Sequence, residues 1–417
     1  QKSGDTVKLT QQKFYPWLLV VCYSLLGIFC PAAVTQFSMV VGELAEALGV
    51  ETQTVLLADT CRAVCLVIAM FLSSWAYLRL GLRGTIGLGL LFQALPQFLI
   101  PLAVDLGSLP VFFACKAAQG LNAMAFPLYI STITMWIDRR YAALSTAIFN
   151  GSFAAGSGVG AWVAGLLVPA LGWRASFYAI GVMVAVLAVP VLLFTRDKPP
   201  APAQETTTPV RQSGGYTSIL RQPVTWLLVL ALLANTWVTQ AITVDMSVYA
   251  SGIGYSYGET GSLMLVISVI TVVSSILAGG VSDFLADRTV RKVRSRSLVM
   301  GAGYVLSAVG AALLPFAAPA GYLPLLLSSC AMMFGASWAA GVFWALPSQL
   351  YRPEDNVAGT AFCSGASNIP NPIAPMVVGV LLGTQGYWTA AWMTCAAASA
   401  ISLLASILLS GKGREEG

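Results

Sequence analysis

The sequence predicts an all-α integral membrane protein with twelve transmembrane helices in two pseudo-symmetric six-helix bundles. Of the 417 residues, 57% are hydrophobic and only 9% are charged, and the mean hydropathy is +0.78. A soluble domain carries about 25% charged residues, so most of this chain is expected to lie in lipid. Lipid-exposed backbone must satisfy its own hydrogen bonds, and the apolar runs are too long for barrel strands, so each run is predicted to be a helix.

Twelve apolar runs are long enough to cross a hydrocarbon core of about 30 Å. Numbered as spans 1 to 12, they cover residues 16–42, 52–78, 84–104, 109–137, 141–169, 174–195, 224–249, 260–284, 295–317, 321–349, 356–383 and 386–410. Span 1 leads into further spans, so it is expected to be retained and not cleaved as a signal peptide.

The positive charges predict the topology. All but three of the 22 Lys and Arg residues lie in the two terminal tails or in the loops that follow even-numbered spans. Positive charge accumulates on cytoplasmic loops, so both termini are predicted to be cytoplasmic. The protein is therefore expected to be a multi-pass protein of the cell (inner) membrane.

A polar segment divides the twelve spans into six and six. Residues 196–223 are rich in Pro, Thr, Gln and charged residues, a composition typical of a flexible linker. We therefore expect an N-terminal bundle, residues 1–195, a cytoplasmic linker, residues 196–223, and a C-terminal bundle, residues 224–417.

Internal repeats indicate that the two halves are duplicated copies. CKAAQG at 115–120 aligns with CAMMFG at 330–335, and STAIFNG at 145–151 aligns with GTAFCSG at 359–365. A parallel repeat of six helices favours a solute site between the halves, near the membrane midplane.

Residue usage excludes several kinds of chemistry. The chain has no histidine, which excludes His-based zinc sites, Ser-His-Asp catalysis and histidine proton relays, and leaves carboxylates as proton carriers. Its eight cysteines lie within predicted spans at no metal-ligand spacing and are interpreted as small core residues. No phosphate-binding G-x-x-x-x-G-K-[ST] loop is present in the sequence. We therefore expect no cofactor, no metal and no enzyme activity; a membrane-embedded enzyme or receptor is the disfavoured alternative.

Several motifs in chain order resemble those of the major facilitator superfamily of transporters, across essentially the whole chain. The loop SWAYLRLGLRG at 74–84 is similar to the superfamily's signature loop G-x-x-x-D-R-x-G-R-R, with Leu78 in place of the acid. The loop GGVSDFLADRTVRKVR at 279–294 is a better copy and keeps the acid as Asp283. The resemblance implies that Asp283 and Arg288 take part in gating.

Further motifs extend the resemblance through spans 4 to 6. KAAQG in span 4 is similar to R-x-x-Q-G, with Lys116 in place of the arginine. The glycine-rich span 5 and GWRASF at 172–177 also match superfamily elements. The resemblance implies the major facilitator fold and a carrier that works by alternating access, with spans 1, 4, 7 and 10 lining the cavity.

Four ionisable residues lie inside the apolar spans away from the cytoplasmic signature loops: Asp59 and Arg62 in span 2, Lys116 in span 4 and Asp245 in span 7. A charge at the centre of a transmembrane helix costs about 2.5–3.5 kcal/mol, so such residues usually pair, face a cavity or carry ions. From a rise of about 1.5 Å per residue, all four are predicted to lie in one layer of the outer half of the membrane. Local neutralisation of Asp59 by Arg62 stays open as the alternative to a transport role.

In the transport interpretation, Arg62 and Lys116 bind substrate, and Asp59 and Asp245 serve proton coupling or gating. The resemblance implies that the outer ends of spans 1 and 2 close against those of spans 7 and 8, so that Arg62 would meet Asp245 across the halves. Further substrate-binding candidates are polar and aromatic residues on spans 1, 4, 7, 10 and 11, namely Tyr23, Gln36, Asn122, Tyr129, Asn235, Gln240, Trp338, Trp344 and Asn368. For each of these the alternative is packing or helix–helix hydrogen bonding.

The expected function is secondary transport of a small organic anion, with a carboxylate as leading substrate. A substrate carboxylate that breaks the Arg62 or Lys116 pairing would leave Asp59 or Asp245 able to take a proton, which suits proton symport. Anion exchange and export of amphipathic drugs remain alternatives. The expected partners are an anionic small molecule, protons and the lipid bilayer, with no nucleic acid, and the chain is expected to be a monomer.

Overall fold

A computed structural model of the chain describes residues 14–137, 142–196, 219–343, 345–352, 359, 362–363, 365–383 and 388–412. The chain divides into two compact units, Gln1–Ala203 and Gln204–Gly417. Each unit has its own core of buried apolar side chains. The described residues are helical, as predicted, and contain no strand. Most of the expected linker, residues 196–223, lies outside the described residues.

The helices of unit 1 follow spans 1 to 6. They are α1 Tyr15–Met39, α2 Val41–Leu48, α3 Thr52–Asp105, α4 Leu109–Leu121, α5 Phe126–Trp136, α6 Ala142–Leu171 and α7 Trp173–Phe194. α3 includes both span 2 and span 3, which meet at a kink at Gly81. Gly81 has φ 69°, a left-handed conformation that glycine adopts without steric cost.

The helices of unit 2 follow spans 7 to 12. They are α8 Pro223–Gln240, α9 Met246–Gly252, α10 Tyr257–Asp287, α11 Lys292–Ala320, α12 Tyr322–Phe343, α13 Pro347–Leu350, α14 Pro370–Gly383 and α15 Trp388–Ser410. The π-helix Ala241–Asp245 joins α8 to α9, so span 7 is not a regular α-helix.

Within the described residues, ten helices are long and apolar enough to cross a membrane, and they correspond to every predicted span except 4 and 11. Span 4, predicted as one helix over 109–137, is helical from Leu109 to Trp136 but includes the 3₁₀ turn Asn122–Ala125, so it is not one regular α-helix. Pro127 has no N–H for the carbonyl of Ala123, and the N–H of Phe126 bonds it instead. In span 11, the described chain makes a turn before α14, a shorter apolar helix that begins at Pro370.

Glycines bring the helices of unit 1 into backbone contact. A Cβ on Gly156 would lie 2.1 Å from the carbonyl oxygen of Ile28, and a Cβ on Gly160 would lie 2.1 Å from that of Ala32. Without a hydrophobic force between helices in lipid, such close approach is the main source of packing energy. The glycine-rich α6 is therefore a packing surface for α1.

The C-terminal end of α7 is bound by side chains from three other helices. Tyr15 of α1 donates its hydroxyl to the carbonyl of Phe194. Arg83 of α3 donates to the carbonyl of Thr195 at 2.5 Å, and Trp136 of α5 donates to the carbonyl of Arg196 at 3.0 Å. The last carbonyls of a helix lack intrahelical donors, and these side chains supply them.

Candidate functional site

A buried ion cluster joins α3 to α4 in unit 1. Arg62 Nε donates to Asp59 Oδ1 at 2.6 Å and Arg62 Nη2 donates to Asp59 Oδ2 at 2.8 Å, a bidentate pair within one helix. Lys116 Nζ lies 3.0 Å from Asp59 Oδ1. Asp59 and Lys116 are 0% exposed and Arg62 is 7% exposed. One carboxylate thus bridges two cations away from water.

The close approach of α4 to α3 positions the lysine. A Cβ at Gly120 would lie only 2.1 Å from the carbonyl oxygen of Arg62, so the two backbones touch one turn from Lys116. No larger residue fits this contact without displacing a helix. The K-A-A-Q-G motif therefore supplies both the cation and the glycine that brings it to Asp59.

An aromatic ring completes the surroundings of Lys116. Its Nζ lies 3.5 Å from the ring centroid of Phe37, on α1. The Phe112 ring packs next to Phe37, with centroids 6.3 Å apart. An ammonium over an aromatic face gains cation–π stabilisation that increases when water is excluded. Phe37 was not identified from the sequence, because nothing in the pattern of span 1 singles it out.

The cluster carries one excess positive charge. Arg62 and Lys116 are both cations, and Asp59 is the one acid that contacts them among the described residues. An ammonium has three N–H donors, and beyond its ion pair with Asp59, Lys116 Nζ makes no hydrogen bond in the described part of the chain. Buried charge is costly without compensation. A small anion would neutralise this cluster.

Asp245, the fourth intramembrane charge, lies at the end of the π-helix in unit 2 and is 0% exposed. On the next turn of helix, the Tyr249 ring packs edge-to-face on Trp392, with centroids 5.2 Å apart. The expected pairing of Arg62 with Asp245 across the halves stays a prediction. The bidentate Arg62–Asp59 pair matches the alternative named from the sequence, in which Arg62 neutralises Asp59 within one helix.

Two of the candidate substrate residues in α1 bond to α7 or to the residue that follows it. The Tyr23 hydroxyl is 2.8 Å from Thr195 Oγ1. Gln36 Nε2 donates to Ser176 Oγ at 2.9 Å. Both side chains are fully buried, so these bonds are helix–helix ties within unit 1.

The two candidates that follow Lys116 in span 4 are also engaged inside unit 1. Asn122 Nδ2 donates to Gln93 Oε1 of α3 at 3.3 Å. The Tyr129 ring packs on Tyr23, with centroids 4.9 Å apart, and is 3% exposed. Of the candidates in this unit, the structure brings Asp59, Arg62 and Lys116 together, and these four aromatic and amide side chains contact neighbouring helices.

In unit 2, Asn235 Nδ2 donates to the carbonyl of Ala336 at 3.1 Å, and Trp338 Nε1 donates to the carbonyl of Val299 at 3.0 Å. Gln240 is half-buried at the end of α8, next to the π-helix. These residues do not form a cluster comparable to that of unit 1 among the described contacts.

Asn368 lies in the turn that precedes α14, where its Oδ1 accepts a hydrogen bond from Asn371 Nδ2 at 2.9 Å. Here one amide side chain thus bonds the other. Trp344 lies outside the described residues.

The second signature loop contains an ion pair at the N-terminal end of α11. Asp283 Oδ1 is 2.8 Å from Arg296 Nη2, and Arg296 Nη1 also donates to Ser282 Oγ at 3.3 Å. The Arg288 guanidinium lies over the Phe284 ring, 4.0 Å from its centroid. Sequence reasoning selected Asp283 but not Arg296, which reaches it because α10 and α11 run back alongside each other after a short loop.

Comparison with known proteins places these features in context. A sodium-dependent phosphate transport protein 3 from Mus musculus is 25% identical over 57% of this chain and 53% of its own length. An MFS-type efflux pump from Mycolicibacterium smegmatis is 27% identical over 60% of this chain and 59% of its own length. A putative tartrate transporter from Agrobacterium vitis is 24% identical over 72% of this chain and 69% of its own length. The chain thus spans little more than half the length of the first two relatives.

Fold comparison agrees over nearly the whole chain. The crystal structure of a bacterial homologue of the human lysosomal transporter Spinster matches with a TM-score of 0.77 at 14% identity, covering 97% of this chain and 100% of that one. The family model of the Major Facilitator Superfamily matches residues 17–294. That match covers most of unit 1 and continues through the second signature loop, so this chain belongs to the Major Facilitator Superfamily.

Proposed function

We propose that this protein is a secondary transporter, not an enzyme, that moves a small organic anion across the cell membrane by alternating access. The observation that carries the proposal is the buried cluster with two cations and one acid. A carboxylate substrate fits this charge balance and the donor geometry, because guanidinium and ammonium groups are the usual partners of carboxylates.

The cluster also supports coupling to protons. In the structure Asp59 occupies the position between Arg62 and Lys116 that a substrate carboxylate would take. When a substrate displaces it, Asp59 loses its cationic partners while still buried, and both changes favour its protonated form. One proton taken up with one monocarboxylate leaves the net charge of the loaded cluster equal to that of the empty one. Symport of one proton with one monocarboxylate is therefore electroneutral and leaves the excess positive charge of the cluster as it was, whereas the anion alone would neutralise that charge.

Named relatives support an anionic substrate but do not agree on one. One is named for phosphate transport and another for tartrate transport, which are both anions. A further relative is named as an efflux pump, and it favours export as the second candidate function. In the second case the substrate would be amphipathic, and the cationic cluster would serve unit 1 only as a structural ion pair.

Transport by matched arginine variants in proteoliposomes tests the proposal. Arg62→Ala removes the bidentate partner of a buried acid, and we expect uptake of a radiolabelled monocarboxylate to fall at least about tenfold, which corresponds to about 1.4 kcal/mol. Arg174→Ala is the control, because Arg174 makes a similar pair with Asp105 that is about half exposed, and it should transport normally.

Measurements on the same vesicles also identify the coupled ion and the class of substrate. A pH-sensitive dye inside them should report acidification when monocarboxylate enters. Normal uptake by Arg62→Ala, or transport of lipophilic cations with no response to carboxylates, would reject the anion proposal. Uptake without acidification would reject symport and leave anion exchange.

A further inference from the structure

A buried glutamine in unit 1 has side-chain hydrogen-bonding groups that no group in the described part of the chain satisfies. Gln97, in the second part of α3, is 0% exposed, and neither its Oε1 nor its Nε2 has a hydrogen-bond partner in the described part of the chain. Nearly all buried amides in native proteins bind a protein group or an ordered water.

A second unsatisfied amide oxygen lies on α1. Gln36 is 0% exposed and uses its Nε2 to bond Ser176 of α7, while its Oε1 has no partner among the described residues. Ser176 in turn donates to the carbonyl of Trp173 at 2.6 Å, so its hydroxyl is satisfied without Gln36. Gln36 therefore has one acceptor left for a ligand.

Contacts at the end of α7 give the directions of the three helices. The hydroxyl of Tyr15, at the start of α1, bonds the carbonyl of Phe194. Arg83, at the start of the second part of α3, bonds the carbonyl of Thr195. α1 and this part of α3 therefore run in the same direction, and α7 runs opposite to both.

A bond between α1 and α3 sets their relative height. Gln93 Nε2 donates to the carbonyl of Cys30 at 3.3 Å, so these residues are level. At about 1.5 Å per residue, Gln97 lies about 6 Å further along α3 and Gln36 about 9 Å further along α1. The two glutamines thus differ in height by about 3 Å on this estimate.

Contacts with α7 give an independent estimate. Gly181 of α7 faces Gln97, because a Cβ there would lie 3.0 Å from Gln97 Cβ. Ser176, which bonds Gln36, is five residues away along α7, or about 8 Å. Both residues belong to the buried face of α7. The two estimates give a difference in height of about 3 to 8 Å along the helix axes, a difference that one or two water molecules can bridge.

The unsatisfied donors and acceptors of the two glutamines indicate which kind of ligand fits between them. Gln97 offers a donor, Nε2, together with an acceptor, Oε1, and Gln36 Oε1 adds a second acceptor. A metal cation would leave the donor unsatisfied and an anion would face the acceptors. Water both donates and accepts, and buried waters in proteins typically make about three hydrogen bonds to such groups.

We propose that a buried water-binding site lies between α1, α3 and α7, where one or two water molecules join Gln97 to Gln36. This site is separate from the ion cluster, and it assigns Gln36 to structural hydration of unit 1 instead of substrate binding. It does not depend on which solute the protein transports.

Leucine substitution at Gln97 distinguishes a hydrated site from a dry one. In a hydrated site, Gln97→Leu removes the partners of the bound water and leaves Gln36 Oε1 without a hydrogen-bond donor. Tm should therefore fall by about 2–4 °C. In a dry site, the same change removes an unsatisfied amide, so Tm should rise. Gln97→Met tests the sign of the change in Tm again, with a longer apolar side chain. Ile100→Leu, on the same buried face, is the control for the effect of repacking. A rise or no change in both Gln97 variants overturns the proposal.

A high-resolution density map of the protein gives the direct readout. We expect ordered water within hydrogen-bond distance of the Gln97 amide. A protein side chain bonded to both amide atoms, or a map without water at that position, also overturns the proposal.

Discussion

Removal of the Asp59 carboxylate should destabilise the protein strongly. Asp59→Asn keeps the shape of the side chain but leaves Arg62 and Lys116 without their acid, in a place where neither is appreciably exposed. Breaking a buried ion pair by removal of one partner costs about 3–5 kcal/mol, because the remaining charge stays desolvated. Two cations share this carboxylate, so we expect the upper part of that range and a fall in Tm on the order of 10 °C.

Thermal unfolding of the detergent-purified protein, followed with a thiol-reactive dye, measures this effect. Cysteines such as Cys115 and Cys395 are buried and free, so they become reactive on unfolding. Asp105→Asn is the matched control, since Asp105 pairs with Arg174 at an exposed site where such pairs contribute about 0–1 kcal/mol.

The same cluster permits a rescue experiment. Lys116→Met combined with Asp59→Asn removes one of the stranded cations and should recover part of the lost stability. Added monocarboxylate should raise the Tm of Asp59→Asn more than that of the wild type, because it can supply the missing negative charge. If Asp59→Asn unfolds within about 1 kcal/mol of Asp105→Asn, the three charges are not desolvated together and the reasoning is refuted.

Three further predictions concern the backbone and one half-buried acid. Gly120→Ala should lower both Tm and transport, because its Cβ would lie 2.1 Å from the carbonyl oxygen of Arg62. Gly42→Ala is the control: a Cβ there would have no atom within 4 Å, so this variant should be neutral or slightly stabilising. Gly81→Ala should cost about 1–2 kcal/mol at its positive φ, seen as a lower Tm, and an unchanged Tm would contradict the kink described for α3. Burial raises the pKa of Glu43, on α2 outside the apolar spans. The charged form of Glu43 therefore weakens the folded state, and the stability of the protein falls as pH rises through that raised pKa. Glu43→Gln should therefore raise Tm near neutral pH and give no gain at about pH 4; equal effects at both would contradict this.

Composition and charge position predict most of the architecture, because lipid imposes strong rules on sequence. Spans such as 8 and 9 are long apolar runs, and the structure has a helix at each of them. The contact of Lys116 with Asp59 agrees with depth reasoning, since a rise of about 1.5 Å per residue placed both residues in one layer. Depth along the membrane normal can thus be predicted from residue number.

Lateral position could not be predicted in the same way. The Phe37 ring below Lys116 and the Ser176 partner of Gln36 depend on how α1 is rotated against α4 and α7. Span 1 is apolar on all sides, so its periodicity does not select a face. The π-helix that ends at Asp245 likewise has no sequence signal, since it depends on local hydrogen-bond register and not on composition.

The ties at the end of α7 have a mechanical consequence. Tyr15, Arg83 and Trp136 attach three helices to the same few carbonyls, and the rings of Tyr15 and Trp136 are themselves in contact. Because these bonds meet at one short segment, they restrain α1, α3 and α5 against α7 at that end. Arg83 belongs to the signature loop that has Leu78 in place of the acid. In this chain that loop therefore helps to hold α3 against the end of α7 within unit 1.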